Sequence, residues 1–335
     1  MAPINVPVAE VQRAKEQAVA QFLHPDNFRP AVSFAARSSP RLNVVGVGIG
    51  PKITKGRVTT QTCVRFYVGQ KHADSLVPKT NLLPSHIGKV PTDVIETGWF
   101  CAFAKAGGPR GYMRPAHPGS SVGFEYTGAD AGTRMAGTFG ALVEADGKRY
   151  ILSNNHVLAN ENALPVGSDI FQPGLLDRNT ATTSKIAKLS RFIKLKTVGS
   201  NQVDCAIAEL NMVSLAGAVV LPKVGKLSSG ATVQAKEKMK VEKTGRTTGY
   251  TTGVIHDVQA TVKVTYDSGT LTFANQIVIV NAGGASFSDT GDSGSLIVER
   301  TTKQAVGLLF GGTKSHTLAN HIDDVLSALK ISIIA

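Results

Sequence analysis

The tetrapeptide Gly291-Asp292-Ser293-Gly294, within the run Phe287–Val298, has the composition of a turn that could activate a serine. A serine hydroxyl is a poor nucleophile until a base takes its proton and backbone dipoles hold the developing oxyanion. Glycine two residues before the serine lets the N–H groups of Gly291 and Ser293 aim into one oxyanion pocket. Gly294 leaves room for close backbone approach, and the apolar run after it supplies an anchoring strand. Turns in general favour Gly, Asp and Ser, so the tetrapeptide needs partners before it means catalysis. Two segments offer them. Tyr150–Leu158 reads as a strand that ends in small polar residues and delivers His156 at its C-terminal edge, where a general base is held rigidly yet reaches a cleft. Val203–Leu210 places Asp204 at the head of a nearly all-apolar strand. Burying that carboxylate is costly unless it meets a partner such as an imidazole N–H. Singly, the histidine reads as structural and the aspartate as a turn cap.

The three stand in the order His156, Asp204, Ser293. With that order and these gaps, Ser153-Asn-Asn-His-Val-Leu158, Asp204–Leu210 and Gly291–Gly294 resemble the histidine, aspartate and serine motifs of trypsin-like (chymotrypsin-fold) serine peptidases over roughly residues 120–330. More narrowly, Lys243-Thr-Gly-Arg-Thr-Thr-Gly-Tyr-Thr-Thr-Gly253 is similar to the disulfide-poor group that includes NARROW LEAF1-like proteins and bacterial relatives. The resemblance implies a serine endopeptidase acting on protein or peptide substrates. It also implies that Leu309–Thr313 pairs with the substrate backbone. Phe287, six residues before the nucleophile, stands where an acid would select Lys or Arg. With Ser288, Gly311 and Gly312 it implies a pocket for an uncharged side chain. His316, Ser288 and Thr313 offer an alternative pocket for an acidic one. The resemblance implies a freed N-terminus beside Asp292, but no Arg-Ile-Val-Gly-Gly activation site precedes the first barrel strand. Asp292 therefore either finds another partner, with Arg110 and Arg114 as candidates, or is left uncompensated.

The elements that position these residues read as mainly β. The expectation is a chymotrypsin-like double β-barrel with a C-terminal helix, preceded by a small α+β N-terminal unit. Short alternating segments such as Gly140–Val143, Gln276–Val280 and Ala305–Phe310, punctuated by turns, predict the barrels. Asn320–Lys330 predicts a helix behind an Asn cap. Residues 7–24 predict an amphipathic helix with Val8, Val11, Ala18 and Phe22 on one face. Strands follow over 43–50 and 62–68, then a short helix near Leu82–Ile87 and a strand near Thr92–Thr97. Gly46, Gly48 and Gly50 lack a following helix and a Gly-Lys-Ser/Thr, so a strand is favoured over a phosphate loop. The Gly- and Pro-rich run 107–121 divides the chain into 1–115, an accessory unit, and 116–335, the peptidase domain. An accessory unit on so short a tether could act as a built-in inhibitor, a folding aid or a docking arm; a permanent extension completing the first barrel is the plainer alternative.

Bulk composition narrows the function classes. The net charge of +12 is concentrated in residues 1–115, which hold 15 Lys+Arg against 6 Asp+Glu. That reads first as a solvated surface and second as a face for an acidic partner. Only 6% of residues are aromatic, which disfavours base-stacking on nucleic acid. Three cysteines, Cys63, Cys101 and Cys205, cannot all pair, and scattered histidines give no metal site, so no cofactor is expected. Without a signal core or an apolar span, a cytoplasmic protein away from membranes is expected. A catalytically silent trypsin-like scaffold and a binding module built on the basic N-terminal third are the alternatives to an enzyme.

Overall fold

The computed structural model describes residues 6–23, 43–54, 57–101, 109–126, 133–177, 184–228, 232–283 and 286–335. Helix α1 (Val8–Phe22) buries Val11, Ala14 and Ala18, spaced three and four apart, against Val47, Val64 and Phe66. Val8, expected on that face, is exposed, and Lys15 is buried in its stead. The antiparallel pair β1 (Val44–Thr54) and β2 (Arg57–Val68) lies beneath the helix. The helix expected near Leu82–Ile87 is not formed. Two short 3-10 turns, Asp74–Leu76 and Lys79–Asn81, precede strand β3 (His86–Ile87), which pairs with β4 (Val90–Glu96). Pro84 lacks an N–H and biases Leu83 away from helical backbone, which accounts for the difference. Strand β5 (Phe100–Cys101) follows.

The first barrel is built from β6 (Ser121–Val122), β7 (Gly137–Thr138), β8 (Ala141–Ala145), β9 (Lys148–Ser153), the short helix α2 (Asn155–Leu158), β10 (Asp169–Phe171), β11 (Lys185–Phe192) and β13 (Ala206–Leu210), with β12 (Ser200–Asn201) leading away. Its main sheet runs β10-β11-β13-β9-β8 and is closed off by the C-terminal strand β20 (Ser332–Ile333). Phe124, Phe139, Ile151, Ile170 and Leu189 fill it. The second barrel contains β14 (Lys240–Gly245), β15 (Gly249–Tyr266), β16 (Gly269–Asn281), β17 (Leu296–Glu299), β18 (Ala305–Gly312) and β19 (His316–His321), followed by α3 (Ile322–Leu329). This is the mainly β, chymotrypsin-like arrangement that the sequence predicts, with its C-terminal helix and its N-terminal α+β unit. Helix α3 buries Ile322, Val325 and Leu329, but it has no Asn cap: its N-cap is His321, and Asn320 lies inside β19. Among the described residues no helix is long and apolar enough to cross a membrane.

Strands β15 and β16 run on past the second barrel as a long hairpin, and its free edge takes up the N-terminal strands. Gly46 and Val47 of β1 pair with Val262 and Thr261, so β1 to β5 share a twelve-stranded sheet with the second barrel. The segment 109–121, expected as a linker, is packed: Ser121 N donates to Pro109 O, and Ala116 N to Leu215 O.

A buried polar layer seals this junction. Arg65 donates to the carbonyls of His256 (2.7 Å) and Pro51 (2.8 Å), and the Tyr67 hydroxyl donates to Asp257 (2.9 Å). Gly48 and Gly50 make room for it, since a Cβ at either would sit 1.8 Å from Asp257 Oδ2 or 2.2 Å from Arg65 Cζ. Burial, then the Arg65 charge, pushes His256 down to about 3 and His316 down to about 4. Both are therefore neutral in the folded chain at pH values where the unfolded chain protonates them, below about 6.5. The unfolded state binds more protons across that window, so stability falls as pH drops from about 6.5 towards 4. Melting temperatures between pH 7 and 4 should fall less steeply in a His256→Gln/His316→Gln variant. An unchanged slope would remove these two histidines from the account.

Candidate active site

Strand β9 is buried from Tyr150 to Ser153, where the chain turns through Asn154 into α2 and presents His156. Asp204 precedes β13, which pairs with β9, so strand register alone sets the two residues side by side: Ala206 lies opposite Ser153. His156 Nδ1 is 2.5 Å from Asp204 Oδ2. Oδ1 of the same carboxylate accepts the backbone N–H groups of Asn155 (2.7 Å) and His156 (3.3 Å). The Asn154-Asn155 pair tightens the turn, because Asn154 Nδ2 donates to Asp204 O and Asn155 Nδ2 to Ile193 O. Two residues that the sequence reading missed complete the setting. The Tyr266 hydroxyl, at the end of β15, donates to Asp204 Oδ2 at 2.8 Å. Asn320 Oδ1 accepts from Asp204 N at 3.0 Å, which is the task of the side chain expected to cap α3. Asp204 is fully buried, and this fence of donors replaces the water it has lost.

Ser293 sits on a turn pressed against the first barrel. Thr138 N donates to Ser293 O (2.8 Å), and Thr138 Oγ1 donates to Gly291 O (2.9 Å). Gly294 has a φ of +91°, and a Cβ there would lie 2.1 Å from Ser153 Oγ and 2.3 Å from Thr138 O. Only glycine fits that position. Gly291 (φ +98°) and Ser293 donate their backbone N–H groups to no group among the described residues. Two amide donors are thereby left for an oxyanion. The Ser293 hydroxyl donates to Phe310 O at 3.4 Å, and Ser293 has no exposed surface. His156 Nε2 is buried without a hydrogen-bond partner among the described residues. The base and the hydroxyl are thus not joined in this form; such bonds commonly tighten only when substrate is bound.

Asp292 does not meet Arg110 or Arg114. Arg110 lies 3.7 Å from Asp177, and Arg114 bonds Gln172. The partner is Lys243 of β14, whose Nζ is 3.1 Å from Asp292 Oδ2 with both side chains fully buried. Burial pulls the Lys243 ammonium down from its usual range, and the Asp292 carboxylate opposes that shift. Thr247 N (2.8 Å) and Thr248 N (3.1 Å), in the turn that joins β14 to β15, donate to Asp292 Oδ1. The Thr-Gly-Arg-Thr-Thr-Gly run is a hairpin turn, as expected, and it also clamps the turn that carries Ser293.

The pocket residues do not converge as expected. Ser288 Oγ lies 2.6 Å from Thr317 Oγ1, near the end of β18 where Gly311 and Gly312 stand. The Phe287 ring lies instead in the core of the second barrel with Ile255, Ile279 and Leu309. His316 does not join Ser288 either. Successive side chains on β19 face opposite ways, so with Thr317 turned to Ser288, His316 faces Tyr67 and His256, with ring centroids 6.5 and 6.1 Å away.

The Tyr266 ring packs edge-on against His156, with centroids 5.6 Å apart, and its hydroxyl reaches His156 through Asp204. Removing its hydroxyl takes away a hydrogen bond to a charged group, about 1.5–3 kcal/mol. For a hydrolase that works through His156, Tyr266→Phe should therefore lower kcat by about tenfold or more with KM unchanged. An unaltered kcat would make the hydroxyl merely structural.

Comparison with known proteins adds a partial match and a set of distant likenesses. Residues 202–322 match the Nal1 C-terminal domain family. Among solved structures, 65% of this chain is similar to the whole of a glutamic acid specific serine protease that uses a histidine triad in substrate binding, at 20% identity and a TM-score of 0.47. Thermobifida fusca Protease A (16% identity, TM-score 0.45) is matched over its whole length by 66% of this chain. Nocardiopsis protease (16% identity, TM-score 0.43) is matched over 97% of its length by 64% of this chain. No curated protein matches. The stretch that matches the Nal1 C-terminal domain holds Asp204, Lys243, Tyr266 and Ser293, whereas His156 comes from the first barrel outside it.

Proposed function

We propose that this chain is a serine endopeptidase in which Ser293 is the nucleophile, His156 the general base and Asp204 the group that orients and stabilises it. The observation that carries the reading is the buried His156 Nδ1–Asp204 Oδ2 bond, which leaves Nε2 as the ring nitrogen without a partner among the described residues. With Nδ1–H held by the carboxylate, Nε2 keeps its lone pair and can accept a proton. The Ser293 hydroxyl leaves Phe310 O, passes its proton to Nε2 and attacks the carbonyl carbon of the scissile peptide. The N–H groups of Gly291 and Ser293 hold the tetrahedral oxyanion. The imidazolium then protonates the leaving amine, and water hydrolyses the acyl-enzyme by the reverse sequence of proton transfers. The substrate class is an extended peptide, with its backbone along β18 and a side chain near Ser288 and Thr317. Neither group is charged, which argues against a preference for Lys or Arg.

A catalytically silent scaffold is the second reading, and the complete burial of Ser293 favours it. A fluorophosphonate probe separates the two, since only an activated serine is phosphonylated. The expected result is one adduct, mapped to Ser293 by peptide mass. A folded chain that stays unlabelled, even when substitutions expose Ser293 to the probe, would make the silent scaffold the correct reading.

A further inference from the structure

We propose that this chain closes its own substrate edge: β5 lies where the backbone of a peptide substrate would pair, and substrate enters by displacing it. The proposal rests on the peptidase reading and specifies how that site is regulated.

Strand β18 is paired along one edge with β19. Its other edge pairs with β17 only as far as Leu308. Beyond that point the nucleophile turn takes over, with Gly294 N on Leu309 O, Leu309 N on Ser295 O and the Ser293 hydroxyl on Phe310 O. Gly311 and Gly312 continue this edge away from Ser293. An extended peptide laid antiparallel along it would set the residues before its scissile bond over Phe310–Gly312, main chain to main chain. That place is taken: Cys101 pairs antiparallel with Gly312, in the substrate's polarity. On its other side β5 pairs with Val264 and Thr265, next to Tyr266. The strand thus fills the slot between the serine-bearing barrel and the hairpin whose tip supports Asp204.

The occupant is anchored. Phe100 is 1% exposed and packs with Tyr67, Tyr266, Phe273 and Phe310. Thr97 N donates to Val68 O, and the Trp99 indole covers Gly69, where a Cβ would lie 2.2 Å from the ring. Residues 97–101 therefore hang from the N-terminal unit and reach into the second barrel. A covalently tethered strand is at high effective concentration, so a peptide in solution must outcompete it. The zero exposure of Ser293 is what such a closed form requires.

The test compares fluorophosphonate labelling of the full-length wild type, Phe100→Ala and Trp99→Ala. Alongside it, hydrogen exchange over residues 97–101 of the wild type is followed with a tetrapeptide boronate and with a single-residue boronate. Loosening the anchor should speed labelling of Ser293 at least tenfold. The tetrapeptide boronate should strip protection from Phe100 and Cys101, and the single-residue boronate, too short to reach Gly312, should leave it. Equal labelling rates together with unchanged protection under the tetrapeptide boronate overturn the inference and leave the peptidase reading standing. Absence of labelling in all three chains overturns the peptidase reading and the inference with it. Where a variant fails to fold, or labelling and exchange disagree, the wild-type exchange result decides.

Discussion

Asp204→Asn should lower kcat by on the order of 10⁴ while the fold persists. The new amide keeps an oxygen for the backbone N–H groups of Asn155 and His156, so the local structure has its acceptor. The NH₂ then faces His156 Nδ1 and the Tyr266 hydroxyl, where a carboxylate oxygen had accepted. Nδ1 must become the acceptor and Nε2 carries the proton, which is the wrong tautomer for deprotonating Ser293. Ser293→Ala should remove hydrolysis more completely, leaving only what binding and the oxyanion donors supply. Steady-state kinetics on a cleaved peptide, with circular dichroism to verify folding, read both variants. Full activity in either would exclude this mechanism.

Lys243→Met is expected to be the most damaging substitution away from the reacting atoms. It leaves Asp292 as a buried charge without its cation, at a cost of about 3–5 kcal/mol. Asp292 also organises the turn, because its carboxylate collects Thr247 N, Thr248 N and Asp289 N beside Gly291 and Ser293. Protonating or displacing it should spoil the oxyanion donors as well as the stability. Lys243→Met/Asp292→Asn removes the stranded charge and should recover much of the denaturation midpoint, with less recovery of kcat. Denaturant titration and kinetics on the two variants separate the contributions. Equal stability of Lys243→Met and wild type would mean that the pair carries no net weight.

The neutralisation of Asp292 from within the chain has a functional consequence. Lys243 of β14 already pairs with Asp292 in the folded chain, so on the proposed mechanism the turn around Ser293 needs no freed N-terminus as its cation.

What could be read from residues alone follows from which interactions are local. Period-two alternation and turn residues predict segments such as Gln276–Val280 and Ala305–Phe310 as strands, because such a strand buries at least one face whatever its partners are. The His156, Asp204 and Ser293 segments carry their own context: a polar residue at the end of an apolar strand, or a serine between glycines. The pairing of β9 with β13 then brings the first two together. Tyr266, Asn320 and Lys243 left no such trace. Tyr266 and Lys243 look like ordinary strand residues and Asn320 like a helix cap, and the role of each depends on a partner 62, 49 or 116 positions away. Arg110 and Arg114 were the cations that the Gly- and Pro-rich run offered, but composition does not decide which cation is buried beside Asp292. Phe287 and His316 failed as pocket residues for the same reason: which face of a strand or turn looks into a cleft is fixed by packing across the barrel. The capture of β1 and β5 by the overhanging edge of β15 is likewise a tertiary event. An unpaired strand edge must be covered, and only the folded chain decides by what.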